Sequence, residues 1–252
     1  SDDHAVNSIS AYGSALGAVA PTPHIDRLAK EGALFENSFC ANSICGPSRA
    51  SILTGKHSHK NGFLRNTRTE FDSSQWTIAK ALQEAGYNTS VIGKWHLKTN
   101  PVGFDHWEIL PGQGSYYNPD FIQMDGTTKR FPGYATDVTT DKAIQWLEGR
   151  NKDKPFFLMC QHKAPHRTFA PALRHLDDFE EVEIPEPGTL FDDYANRSGT
   201  LATNEMELDR HFHWSYDVKL RKDEREGIDL PGPDRYGSLE YSRMTPEQQK
   251  VW

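Results

Sequence analysis

The alternation of helices with short apolar strands narrows the folds open to this chain more than any other feature. Three such pairs are predicted: a helix over 22–32 with a strand over 33–39, a helix over 76–86 with a strand over 87–92, and a helix over 136–150 with a strand over 156–160. The first helix has proline at its first position and glycine at its stop, and the last strand is wholly apolar, as in buried parallel strands. This winding predicts an α/β fold, with helices covering a mostly parallel sheet.

Polar side chains follow these strands directly. Cys45 comes after the strand over 33–39, Lys94 and His96 come after the second strand, and His166 comes after the third. In open α/β sheets the ligand site forms outside the carboxyl ends of the strands. We therefore expect these side chains to meet in one crevice, which scattered surface charges would not do.

Cys45 stands where a helix is predicted to begin. Pro47 suits a first helical turn, Gly55 suits a stop, and Arg49 lies one turn beyond the cysteine. A side chain at this place faces free backbone N–H groups and the positive end of the helix dipole, which favours an anion. A thiolate nucleophile is one interpretation, although thiol phosphatases need a longer loop between Cys and Arg. A small buried cysteine is the plainer alternative.

Composition excludes some function classes. The 252 residues carry a net charge of −7, with 28 Lys and Arg against 35 Asp and Glu, which argues against a general nucleic-acid binder. No apolar run approaches the length of a membrane span, and no secretory signal is visible. The three cysteines are an odd number and imply no complete disulfide framework. If Cys45 is modified, Cys40 and Cys160 are predicted to be small core residues.

Two further stretches have more than one interpretation. Asp2 and Asp3 mark either a solvated turn or a hard-cation site, because Ca²⁺ takes several carboxylate oxygens. Residues 97–133, rich in Gly, Pro and aromatic residues, are predicted to be an insertion with little regular structure. Its aromatic side chains either stack on sugar rings or hold the insertion together; they are Phe104, Trp107, Tyr116, Tyr117 and Phe121.

The chain resembles the type I sulfatases of the alkaline-phosphatase superfamily. The resemblance is carried by Cys45-Gly46-Pro47-Ser48-Arg49 with the following Leu53-Thr54-Gly55, by Gly93-Lys94-Trp95-His96, and by Ala164-Pro165-His166. It implies a sulfuric ester hydrolase with a sulfatase-like α/β sheet. It also implies that residue 45 is oxidised to formylglycine, whose hydrate is the nucleophile, and that Asp2, Asp3 and residue 45 bind Ca²⁺.

The same resemblance assigns roles to four more residues. Arg49 and Lys94 would stabilise the formylglycine hydrate and the growing negative charge. His96 would hold the second hydroxyl of the hydrate and take its proton. His166 would lie against the ester oxygen and help to protonate the leaving alcohol.

Further segments look like bacterial N-acetylglucosamine-6-sulfatases that act on host glycans. These segments are 33–40, 55–62 and 159–166. The resemblance implies a sulfated carbohydrate substrate, no nucleic-acid partner, no membrane span, and a periplasmic or secreted location. It also implies a maturation partner, either a formylglycine-generating enzyme or an anaerobic sulfatase-maturating enzyme. His57, His59, His211 and His213 are candidates for substrate contacts, with surface or structural histidines as the alternative.

The chain also departs from the family pattern. Sulfatases complete the calcium site with a further Asp and an Asn or Gln from a later strand, and no matching strand is predicted after residue 170. We therefore interpret 1–252 as part of a sulfatase N-terminal catalytic domain, without its first strand and C-terminal part, and expect weak calcium binding and poor turnover. Two alternatives stay open: a phosphonate or phosphodiester hydrolase of the same superfamily, and a non-catalytic glycan-binding remnant.

Overall fold

The structure is a computed structural model that describes residues 1–67, 69–204, 207–219 and 239–252. The chain forms two compact units. The first unit comprises residues 1–4 and 35–166, and the second comprises residues 5–34 and 167–252. All of the polar clusters that follow the predicted strands belong to the first unit. Within the described residues, no helix combines the length and the apolar character that crossing a membrane requires.

A mixed five-stranded sheet forms the centre of the first unit. Its strands are β1 (Asn88–Lys94), β2 (His106–Leu110), β3 (Asp120–Gln123), β4 (Thr128–Arg130) and β5 (Phe156–Gln161), in the order β4-β3-β2-β1-β5. The pairings of β1 with β2 and with β5 are parallel, whereas β2–β3 and β3–β4 are antiparallel. The predicted α/β fold is confirmed, and the antiparallel extension makes the sheet mixed.

The described residues of the sheet-containing unit form four helices. They are α3 (Cys45–Thr54), α4 (Ser58–Asn61), α5 (Ile78–Glu84) and α6 (Ala135–Gly149). Both α5 and α6 contact β1, the most buried strand of the sheet. Thr77 begins α5 by accepting a hydrogen bond from the backbone N–H of Lys80, and Gly55 ends α3 in the left-handed conformation.

The core of the first unit lies between α3, α5 and the first two strands. Side chains that are at most 6% exposed come from the two helices, from β1 and β2, and from the segments around Phe63, Phe71 and Leu97. Fully burying one such large apolar side chain stabilises a fold by about 1.5–3 kcal/mol. This packing fixes the first turn of α3 against the end of β1, where the polar clusters lie.

The second unit is held by its own polar networks. Its helices are α1 (Ala15–Val19), α2 (Pro23–Glu31), α7 (Gly199–Ala202), α8 (Leu208–His211), α9 (Leu239–Arg243) and α10 (Pro246–Val251). Asp26 of α2 accepts hydrogen bonds from Ser10, Thr22 and the backbone of Ala11. The fully buried Asp217 carboxylate pairs with the guanidinium of Arg167.

The helix predictions are largely confirmed. The structure has helices where 22–32, 76–86 and 136–150 were predicted, with ends shifted by one or two residues. The strand predicted over 33–39 is wrong, because this segment pairs with no strand in the described part of the chain, and Phe35 and Phe39 are 72% and 89% exposed. The sequence also predicts a helix within 201–220; among the described residues of this range, 201–204 and 207–219, only short helical segments form, at α7, α8 and 214–218.

The insertion predicted over 97–133 is also wrong, since it contains β2, β3 and β4. These strands are only three to five residues long, so the glycines and prolines of their connecting turns dominate the composition. The five aromatic side chains named above are at most 6% exposed. They therefore hold this region together and are not open to sugar rings.

The environment of two cysteines corrects a further prediction. Cys40 and Cys160 are both exposed free thiols, so they are not core residues. Cys160 lies on β5, which is parallel as predicted but is the last strand of the described sheet. A side chain on such a strand lacks a neighbouring strand on one side, and the apolar run therefore stays partly exposed.

Candidate active site

The first residue of α3 lies at the centre of the polar cluster. Cys45 is half-buried, and its Sγ is 3.1 Å from Nδ1 of His96, which follows β1. The side chain of Asn66 donates from Nδ2 to the same sulfur at 3.1 Å and accepts at Oδ1 from the backbone N–H of Gly46. One asparagine thus fixes both the side chain of residue 45 and one free N–H group of the first helical turn.

The pKa of the Cys45 thiol reflects these contacts. Burial by itself raises this pKa, but hydrogen bonds with His166, His96 and Asn66, together with the positive charge of Lys94, lower it to about 5. The site therefore stabilises negative charge at position 45.

A buried ionic network lies behind the cysteine. Asp2, Arg49 and Lys94 are 5%, 9% and 0% exposed, and the Asp2 carboxylate pairs with Lys94 Nζ and with Arg49 Nη2, the latter at 3.3 Å. Burial raises the pKa of Asp2, but its hydrogen bond with Lys94 and the charges of Lys94, Arg49 and His166 make the net shift downward. Removing one member of such a network leaves an unpaired buried charge, which costs about 3–5 kcal/mol.

Gln161 completes the support of Arg49. The guanidinium donates from Nη1 to Oε1 of Gln161 at 2.6 Å and to the backbone carbonyl of Lys94. Gln161 ends β5 and is paired in register with Gly93 of β1. A Cβ atom at position 93, where φ is +107°, would lie 2.1 Å from the carbonyl oxygen of Gln161, so only glycine permits this close approach.

His166 has further contacts besides its hydrogen bond with Cys45. Its Nε2 is 3.4 Å from the Asp3 carboxylate, and its backbone carbonyl accepts a hydrogen bond from the Tyr116 hydroxyl at 2.6 Å. The backbone of Asp2 pairs with the carbonyl of Ala164 at 3.0 Å. These contacts tie the acidic pair at the start of the chain to the loop that carries His166.

The structure brings most of the predicted site residues together. Cys45 contacts His96, Arg49 and Lys94 pair with Asp2, and His166 contacts Asp3. Polar side chains do meet at the carboxyl ends of β1 and β5, as predicted, whereas Cys45 arrives from a segment that is not a strand. The two residues of the acidic pair differ in their environment. Asp2 is buried in an ionic network, whereas the Asp3 side chain is 57% exposed, as expected in a solvated turn.

The four histidines proposed as substrate contacts have other surroundings. His57 and His59 are exposed, stack on each other at 5.8 Å, and flank the start of α4. His211 and His213 belong to the second unit; His213 is 8% exposed, and its backbone N–H donates to Asp217.

The described residues do not by themselves fit a calcium ion. Ca²⁺ takes six to eight oxygen ligands, and two aspartates supply at most four. The Asp2 carboxylate is already paired with two cations, and Asp3 lies against His166. Among the described residues, no group of three or more His, Cys, Asp or Glu is arranged to hold a metal ion.

Two residues of the site were not predicted from the sequence. Asn66 is 21 residues from its partner Cys45, and Gln161 is 112 residues from its partner Arg49. For Gln161 a signal existed, since it directly follows the apolar run of β5, as Lys94 follows that of β1. Asn66 lies in a polar loop among similar residues, and no sequence pattern distinguishes it.

Comparison with known proteins gives matches over the whole chain. A sequence model of the sulfatase family matches residues 1–221. An N-acetylglucosamine-6-O-sulfatase from Bacteroides thetaiotaomicron is 47% identical over 254 residues, which cover 100% of this chain and 44% of that protein. The solved structure of BT4656 in complex with its substrate D-glucosamine-2-N,6-O-disulfate matches with a TM-score of 0.89 and 46% identity, over 100% of this chain and 50% of that chain.

A more distant match concerns the fold alone. The phosphonate monoester hydrolase of Agrobacterium radiobacter has a TM-score of 0.51 and 20% identity, over 68% of this chain and 42% of that chain. The chain spans less than half the length of the curated relatives it matches.

Proposed function

Because this chain belongs to the sulfatase family, we propose that it hydrolyses a sulfate ester of a sugar. The 6-O-sulfate of a glucosamine derivative is the proposed substrate, since the Bacteroides thetaiotaomicron relative is an N-acetylglucosamine-6-O-sulfatase and the substrate of BT4656 is a 2-N,6-O-disulfate. A periplasmic or secreted location and a maturation enzyme that oxidises Cys45 belong to the same proposal.

The observation that carries the proposal is the contact of Cys45 with His96 and Asn66 beside two buried cations. Sulfate esters are anionic, and the reaction places more negative charge on the sulfur oxygens and on the leaving alcohol. A site that lowers the pKa of the Cys45 thiol to about 5 is arranged to stabilise negative charge on that atom. Arg49 and Lys94 supply positive charge that stays in place, because Asp2, Gln161 and the backbone hold it.

Water added to a formylglycine aldehyde at position 45 would give a hydrate, whose hydroxyl is a nucleophile that an unmodified cysteine lacks. His96 Nδ1 is at contact distance from the side chain of residue 45, and we assign it to take a proton there. Asn66 orients the same side chain through its Nδ2. His166 is assigned to protonate the leaving alcohol, with Asp3 holding the imidazole, and one such acid contributes about 10²–10⁴-fold to the rate.

We also propose that this site binds calcium, but we assign the ion no step of the reaction. Asp2, Asp3 and residue 45 would provide the ligands that the described part of the chain can offer. These donors are too few for a complete coordination shell. The steps assigned above therefore rest on the residues of this chain.

The experiment is an assay of the chain produced with a formylglycine-generating enzyme. Mass spectrometry of the peptide that contains Cys45 measures its conversion, and sulfate release is followed from N-acetylglucosamine-6-sulfate. We expect conversion, and release that is low but well above that of the Cys45→Ala variant. If Cys45 is converted but sulfate release does not exceed that of Cys45→Ala, the hydrolase proposal is contradicted. If Cys45 stays an unmodified thiol in the presence of an active maturation enzyme, the glycan-binding alternative is favoured.

The same assay distinguishes a sulfatase from the alternative, a phosphonate hydrolase. An aryl phosphonate and an aryl sulfate are offered to the converted chain in parallel. We expect a higher kcat/KM for the sulfate, and a preference for the phosphonate would reverse the assignment within the superfamily.

A further inference from the structure

Both backbone polar groups of His166 have partners in the structure. Its N–H donates to the carbonyl of Lys163 at 3.1 Å, and its own carbonyl accepts a hydrogen bond from the Tyr116 hydroxyl at 2.6 Å. The first bond closes a turn over 163–166, whereas the second ties this turn to a residue 50 positions earlier in the chain. Tyr116 thus fixes the stretch of backbone from which the imidazole projects.

Tyr116 is itself tightly packed. It is 1% exposed, and its ring stacks on that of Tyr134, with the ring centres 5.7 Å apart and the planes inclined by 17°. Its backbone carbonyl accepts a hydrogen bond from the N–H of Ala135, the first residue of α6, at 2.7 Å. This bond also satisfies one of the free N–H groups at the start of the helix. The hydroxyl is therefore presented to His166 by a well-packed part of the first unit.

Lys163 makes a second contact between the turn and the same tyrosine. It is 3% exposed, and its ammonium lies 4.6 Å from the centre of the Tyr116 ring. A lysine over an aromatic face is attracted by the ring, and more strongly where water is excluded. The turn over 163–166 therefore contacts Tyr116 at both of its ends, through Lys163 on the ring and His166 on the hydroxyl. Neither Lys163 nor Tyr116 has a step in the mechanism proposed above.

We propose that Tyr116 and Lys163 are positioning residues for His166, which they hold so that its imidazole reaches the oxygen of the leaving alcohol. The proposal rests on the role given to His166 in the function proposed above. The imidazole contacts Asp3 and Cys45, but these contacts hold the ring alone, and the backbone that carries it needs support of its own. A misplacement of a reacting group by about 1 Å can cost about 10²-fold in rate, so the support has a direct effect on catalysis.

The first test measures the turn without any catalytic turnover. Tyr116→Phe removes the hydroxyl but keeps the ring that stacks on Tyr134 and faces Lys163. The order parameters of the backbone amides of Ala164 and His166 are measured by ¹⁵N relaxation. We expect values near ~0.85 in the native chain and a fall towards ~0.6 in the variant. The amide spectrum itself shows whether the variant is folded.

Tyr87→Phe is the matched control for the lost hydroxyl. Tyr87 is a half-buried tyrosine of the first unit that directly precedes β1, at the amino end of the strand, whereas the turn follows the carboxyl end of the parallel strand β5. Its replacement is expected to leave the order parameters at Ala164 and His166 at their native values. Native values at both amides in Tyr116→Phe as well would overturn the positioning role.

The second test asks whether the support acts through proton transfer. The nitrophenolate released from para-nitrophenyl sulfate needs no proton at neutral pH, whereas the alcohol released from N-acetylglucosamine-6-sulfate must be protonated. With the formylglycine-converted chain, we expect Tyr116→Phe to lower kcat/KM about tenfold for the sugar sulfate and less than about threefold for the aryl sulfate. Lys163→Met is expected to change the ratio of the two values in the same direction, by about threefold.

A merely structural role predicts a different result. If Tyr116→Phe only lowered the folded fraction, both esters would lose the same factor, and equal losses would overturn the proposal. An unchanged ratio in Lys163→Met would overturn the part assigned to the lysine. Failure of the proposed function is distinguishable, because neither ester would then release sulfate above the level of Cys45→Ala. The order parameters would in that case decide by themselves whether Tyr116 holds His166.

Discussion

Individual residues in this site depend on partners far away in the chain. Asn66 is the clearest case, because its two ends hold the side chain of Cys45 and the N–H of Gly46 at 3.1 Å each. A larger residue at position 46 would force Phe63 or Asn66 to move, since a Cβ atom there would lie 2.7 Å from Asn66 Oδ1 and 2.6 Å from the Phe63 ring. Packing thus favours glycine after the cysteine, in addition to its place in the sequence signature.

Gly93 gives a prediction at the same scale. Gly93→Ala places a Cβ atom against the Gln161 carbonyl in a left-handed conformation, so we expect it to lower the free energy of unfolding by at least ~3 kcal/mol. The measurement is urea unfolding followed by circular dichroism. Gly126→Ala is the matched control, because φ is also positive there but no atom lies within 4 Å, and it should cost only ~1 kcal/mol. Equal costs for the two variants would contradict the close approach of β1 and β5.

At the scale of elements, a partly buried ion pair links β2 to α6. The Glu108 carboxylate pairs with Lys142, whose ammonium also lies 3.6 Å from the centre of the Phe131 ring. Burial raises the pKa of Glu108, but hydrogen bonds with His106 and Lys142 and the lysine charge lower it to about 2. The ionised form is therefore strongly favoured in the folded state.

This linkage predicts a pH dependence. A carboxyl group with a lowered pKa stabilises the fold fully above its unfolded value of 4.5, and that contribution is lost as the pH falls towards about 2. At pH 7 we expect Glu108→Gln to cost ~2 kcal/mol, and the difference from the native chain should shrink between pH 4.5 and 2. Urea unfolding over this range measures it, with the exposed Glu84→Gln as control. A difference that stays constant down to pH 2 would refute the role of the charge.

The elements also show where local patterns fail. The helices over 22–32 and 136–150 were predictable, because proline, glycine and apolar spacing act within a few residues. The strand predicted over 33–39 was not formed, because a strand also needs a neighbour to pair with, and no residue pattern within the segment supplies one. The short β2, β3 and β4 were missed for the converse reason: their partners stabilise them, and their own length carries little signal.

For the molecule as a whole, we predict weak calcium binding, because Asp2 is already paired with Arg49 and Lys94 and Asp3 lies against His166. If the dissociation constant is ~1 mM or weaker, 1 mM Ca²⁺ stabilises the fold by at most ~0.4 kcal/mol. Thermal unfolding with 1 mM CaCl₂ should therefore match unfolding with 1 mM MgCl₂. Stabilisation above ~1.5 kcal/mol that is lost in Asp3→Asn would show that the chain holds a complete site.

What the sequence determined by itself is the α/β winding, the helix that begins at Cys45 and the family signature, since these rest on local spacing and on residue types. Only the tertiary structure decided that Asn66 and Gln161 support the site and that Asp2 is paired with Arg49 and Lys94. It also decided that the five aromatic side chains named within 97–133 are buried. The physical reason is distance along the chain. Contacts over 21 to 112 residues arise from strand pairing and core packing, which no local pattern encodes.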